Sequence, residues 1–152
     1  MRFILILTLF SQALFGQYFG QNKVQYNEFD WNFIVSPNFN VYYYGDNDDL
    51  AIFTSKVAEE SLDQIGKHLR WRSQQPIKII VYTSHNDFQQ TNIVNVYMSE
   101  GIGGVTELYK NRIVIPFEGS YAQFKHVIHH ELVHAIINDM IYGGNVQGVL
   151  SG

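Results

Sequence analysis

The stretch HVIHHELVHAIINDM (126–140) holds the residues with the most chemistry in the chain, His130-Glu131-Leu132-Val133-His134. Two histidines four apart on a helix return to the same face, so their imidazoles project side by side. Neutral imidazole binds zinc at about 2.0–2.1 Å, and a catalytic zinc takes three protein ligands with one position left open. Glu131 is offset by about 100° from His130. That places it beside a metal rather than on it, where it can accept a proton from an attacking water and later deliver it to a leaving group. The pattern therefore predicts His130 and His134 as metal ligands for Zn²⁺ and Glu131 as the catalytic acid/base.

A third ligand is harder to place. His126 is one turn before His130, but a helix rises 1.5 Å per residue, so His126 and His134 stand about 12 Å apart along the axis. They cannot meet at one ion; His126 is expected at the surface or behind the ligands, and His129 against the sheet or a hydrogen-bond partner. One class of HEXXH site has Gly three residues after the second histidine and His or Asp six after it, where this chain has Ile137 and Met140. Another class uses a glutamate on a later helix, yet the only acid after Glu131 is Asp139, on the same helix. The 18 residues from 135 to 152 leave little room for a second helix. The expectation is an N-terminal fragment of a longer protein with its third ligand beyond Gly152, and with little or no peptidase activity by itself. Should the third ligand lie within the chain, Glu118 and Glu107 are the next candidates.

The elements that must position this helix are readable from pattern. FNVYYYG (39–45) is aromatic and β-branched and reads as a strand. DNDDLAIFTSKVAEESLDQIGKHLRW (46–71) opens on acids and spaces Leu50, Phe53, Val57, Leu62, Ile65 and Leu69 for an amphipathic helix. IKIIVYT (77–83) is a strand apolar enough for burial on both faces. SHND (84–87) can cap a short helix, with Ser84 at the cap. EGIGGVTELYKNRIVIPF (100–117) holds two strand-like runs either side of Lys110-Asn111, a hairpin ending at Pro116. The last helix has a capping box at Ser120 and Gln123 and a stop at Gly143. Residues 21–36 read as a lead-in. The fold class is α/β (α+β), a mixed sheet with an antiparallel edge hairpin packed on the HEXXH helix.

The chain has 152 residues, 46% of them hydrophobic, which is one domain with a real core. A formal charge of −4 without a basic cluster argues against a nucleic-acid partner. With no cysteine, disulfides, thiolate metal sites, thiol nucleophiles and a lipoprotein anchor are excluded. Arg2, the apolar run Phe3–Phe10 and the small residues Ala13 and Gly16 compose an export signal over residues 1–16, with the mature domain at 17–152. Gln12 and Gln17 interrupt the run well short of the roughly 20 apolar residues of a membrane span. The mature chain is expected to have no transmembrane segment.

The segments YNEFDWNFIVSPNFNVYYYG, VYTSHNDFQQTNI, EGIGGVTE, KNRIVIPFEGSYAQFKHVIHHELVHA and NDM together resemble a family of exported bacterial proteins. These are the peptidase MA-like (gluzincin) domains that precede a TolB-like β-propeller. The resemblance implies a zincin-like N-terminal subdomain, with His130 and His134 as zinc ligands and Glu131 as acid/base. It also implies a third-ligand glutamate on a later helix, followed by the propeller; neither occurs in this sequence. The implied function is a zinc metallopeptidase of the cell envelope acting on a peptide or protein substrate. The implied location is periplasmic, outer-membrane-associated or secreted, with envelope proteins as further partners. The alternative is a non-catalytic zincin-like module that binds a partner or scaffolds a propeller. Zincins bind peptides as an added strand at the sheet edge, and NRIVIPF is the candidate for that edge. The competing reading is that Ile113, Val114 and Ile115 are core; both can hold, since alternate residues face opposite sides.

Overall fold

The computed structural model describes residues 28–71, 75–89, 103–107 and 111–142. The expected signal segment, Lys110 and Gly143 lie outside the described residues. The elements run β1 (Trp31–Val35), β2 (Phe39–Tyr44), α1 (Asp48–Leu69), β3 (Ile77–Tyr82), α2 (His85–Phe88), β4 (Val105–Glu107), β5 (Arg112–Pro116) and α3 (Tyr121–Tyr142). The described strands form a mixed five-stranded sheet in the order β1-β2-β3-β5-β4. Its centre, β2-β3-β5, is parallel, with Val41 opposite Ile79 and Ile79 opposite Ile113. Each flank is antiparallel. This is the mixed α/β class expected, with the antiparallel hairpin β4–β5 at one edge.

Alternation along the central strands divides the side chains between two faces. Phe39, Val41, Ile77, Ile79, Val81, Ile113 and Ile115 meet α1 and α3 in the main core. Val114 and Tyr82 face the other way, around Phe88 of α2. α1 contributes Leu50, Val57, Leu62 and Ile65, as its spacing predicts. Its first turn carries Asp48 and Asp49, matched to the positive end of the helix, and Arg70 ends it in a left-handed conformation (φ 53°). Ser84 caps α2 as expected, its hydroxyl accepting the Asp87 N–H at 3.1 Å. The Ser120 hydroxyl accepts the Gln123 N–H at 3.4 Å at the start of α3.

Two expectations change. Trp31–Val35, read as lead-in, is a strand paired antiparallel with β2, with Phe33 opposite Tyr42. The tight turn at Ser36-Pro37-Asn38 that joins them is fastened to α1 by one carboxylate. Glu59 Oε1 accepts from the Ser36 hydroxyl at 2.6 Å and the Asn38 N–H at 2.9 Å, and Oε2 accepts from the Asn38 side-chain amide at 2.7 Å. Three donors on one partly buried carboxylate predict that Glu59→Ala destabilises the fold by about 1–3 kcal/mol. The measurement is a lower urea midpoint with an unchanged slope.

The second change concerns the edge. β5, the NRIVIPF strand, is interior: β3 pairs with it on one side and β4 on the other. Ile113, Val114 and Ile115 are fully buried, so the core reading of this strand holds. Among the described strands the outermost beside it is β4, Val105–Glu107. An apolar β-branched triplet with no exposed side is what a strand covered on both faces requires.

Candidate metal centre

α3 buries Phe124, Ile128, Leu132, Ala135 and Ile136 against the sheet. At 100° per residue, His130 and His134 then lie about 160–200° around the axis from Leu132. They are held at the surface because the opposite stripe is committed to the core. Their rings stand 4.7 Å apart between centroids at 80°, and the two Nε2 atoms approach to 3.1 Å. Two nitrogens at about 2.0–2.1 Å from one tetrahedral ion would be about 3.3–3.4 Å apart. The separation of the two Nε2 atoms is thus close to what a shared metal requires. Without a metal, one imidazole N–H can donate to the lone pair of the other.

Glu131 lies between the core stripe and the histidine face. It is 7% exposed, and the Thr106 hydroxyl of β4 donates to its Oε2 at 2.6 Å. The same hydroxyl is 3.2 Å from the Glu131 carbonyl oxygen. Gly104 permits this approach of β4 to the helix: a Cβ there would stand 2.8 Å from Ile115 Cγ2 and 3.0 Å from Glu131 Cγ. Any larger residue would push the strand away from the carboxylate it contacts. Clefts open on both sides. One, of about 480 Å³, is bounded by Glu131 and His134 with Val105, Ile137 and Ile141. The other, of about 340 Å³, is bounded by Glu131 and His130 with His126, Val127 and Gly103. Glu131 shares a wall with each histidine.

The remaining candidates fall elsewhere. His126 is exposed, its ring centroid 6.5 Å from that of His130, and His129 is half-buried. Asp139 lies half-buried on the core side of α3, and burial raises its carboxyl above the ordinary range. Glu107 pairs with Arg112 across the β4–β5 hairpin. Glu118 Oε1 stands 3.2 Å from His85 Nδ1. Among the described residues no three His, Asp or Glu side chains gather closely enough to hold a metal, so His130 and His134 gain neither Glu107 nor Glu118. No described helix is long and apolar enough to cross a membrane.

Thr106 and Gly104 are the site residues that pattern reasoning did not single out. They stand 25 and 27 positions before Glu131, in a three-residue strand and the segment leading into it. The weak signal available was GGVT itself, two glycines followed by β-branched Val105 and Thr106. No family model, curated protein or solved structure matches the chain, so the functional reading rests on these residues alone.

Proposed function

We propose that this chain carries the catalytic helix of a zinc-dependent peptidase of the gluzincin kind, with a zincin-like arrangement of sheet and helix. The observation that supports this most is the convergence of His130 Nε2 and His134 Nε2 to 3.1 Å beside a buried, anchored glutamate. His130 and His134 would hold the ion through Nε2, and a further ligand would come from outside the described residues. Zinc bound there would supply a Lewis acid and lower the pKa of water to about 7.

The chain's own residues have separate tasks in this reaction. Glu131 accepts a proton from the water as its oxygen bonds to the scissile carbonyl carbon. Glu131 then gives that proton to the departing amine as the carbon–nitrogen bond breaks. β4, rather than β5, is the strand along which an extended peptide substrate would lie, its backbone pairing with the strand and its side chains entering the flanking clefts. The apolar run Phe3–Phe10 behind Arg2 supports export, so the envelope or its exterior is the proposed site of action.

Hydrolysis of an unfolded protein substrate by the full protein is the test. Turnover abolished by a chelator and restored by zinc is expected, and chelator-resistant turnover contradicts the proposal. One observation favours a second reading, a non-catalytic zincin-like module: only two metal-ligating side chains come together among the described residues. Zinc binding with no hydrolysis of any unfolded substrate would select it.

A further inference from the structure

We infer that Thr106 is a positioning residue: its hydroxyl fixes Oε2 of Glu131, leaving Oε1 as the oxygen that exchanges the proton with water and leaving amine. The inference rests on the peptidase reading and adds to it a residue and an atom-level division of labour. A carboxylate has two equivalent oxygens and a side chain with three rotatable bonds. Unanchored, it would present either oxygen over a range of positions. Proton transfer in a hydrolytic step needs one oxygen within hydrogen-bond reach of the water, and misplacement by about 1 Å can cost on the order of 10²-fold in rate.

The contacts show how that freedom is removed. Thr106 Oγ1 reaches Oε2 at 2.6 Å but the Glu131 carbonyl oxygen only at 3.2 Å, so the carboxylate is the nearer acceptor for its single proton. Oε1 receives no hydrogen bond from a described residue and lies over Gly104, 3.2 Å from where a Cβ would be. Gly104 thus keeps open the space that Oε1 occupies, and Thr106 pins the opposite oxygen. A tie between β4 and α3 alone would be made at lower cost by apolar side chains, because a carboxylate left 7% exposed must recover its lost hydration from partners. The bond from Thr106 is part of that recovery, and a hydroxyl–carboxylate bond is roughly twice as strong as one between neutral groups.

Three variants of the full protein test this. Thr106→Val keeps the shape and deletes the hydroxyl; kcat is expected to fall about 10- to 100-fold, with KM within about twofold and zinc content unchanged. Thr106→Ser keeps the hydroxyl and should retain kcat within about threefold. Should the valine variant not fold, Thr106→Ala serves in its place with the same expected loss. A readout free of metal and turnover accompanies these. In the metal-free protein, urea midpoints for Thr106→Val, Glu131→Leu and the double variant should be non-additive, the second change costing less once the first is made. Wild-type kcat in Thr106→Val, a serine variant as impaired as valine, or additive midpoints would each overturn the assignment. If the wild type is active and Glu131→Gln is not, while Thr106→Val is fully active, Thr106 alone is misassigned. If the wild type shows no chelator-sensitive turnover, the peptidase reading falls and this role falls with it.

Discussion

Replacing either His130 or His134 with alanine is expected to weaken zinc binding by about 10²-fold or more, and each single change should suffice. The reason is chelation. The two Nε2 atoms already stand 3.1 Å apart, so a metal gains the second nitrogen without further ordering of the chain. Remove one, and the ion keeps only the remaining imidazole and the further ligand, with water in the vacated position. Neither side chain contributes to the core, whose stripe on α3 is Phe124, Ile128, Leu132, Ala135 and Ile136. The variants should therefore melt close to the metal-free wild type while losing the stabilisation that bound zinc adds. Elemental analysis of the dialysed full protein measures the first effect. Wild-type zinc content in both single variants would mean that the ligands are elsewhere.

Glu131→Gln should separate chemistry from binding. The amide keeps the size of the carboxylate, and its oxygen can still accept from Thr106 at the 2.6 Å position, so β4 and α3 stay joined. It cannot take up and release a proton at neutral pH. The expected result is a fall in kcat of about 10²–10⁴-fold with zinc content unchanged. Zinc and hydrolysis are to be measured in the same preparation, because a loss of both would only report damage to the site. Equal hydrolysis by the variant would remove Glu131 from the mechanism and favour the non-catalytic module.

The parts of this site that were legible in the sequence are those fixed by local geometry. Four-residue spacing alone places His130 and His134 on one helical face, and the apolar positions at 124, 128 and 132 leave that face turned outwards. α1 was legible for the same reason. The sheet order was not. IVIPF reads equally as an edge or an interior strand, and what decides is the parallel pairing of Ile79 with Ile113, which joins segments 34 positions apart. β1 escaped because Trp31, Phe33 and Val35 are 39%, 61% and 67% exposed, so no alternation of buried and polar residues marks it. Thr106 was invisible for a different reason. Its role arises only where a glycine lets β4 approach α3, a tertiary contact with no local pattern.

In the proposed site one metal sits between His130 and His134, with Glu131 beside it and not bound to it. X-ray absorption at the zinc edge of the zinc-loaded full protein tests this most directly, read together on the wild type, Glu131→Gln and the His130→Ala, His134→Ala double variant. The expected wild-type spectrum has imidazole nitrogen scattering at about 2.0–2.1 Å. Glu131→Gln should reproduce it, and the double variant should lose it. An imidazole signal that survives loss of both histidines, or a first shell altered by Glu131→Gln, would contradict the assignment.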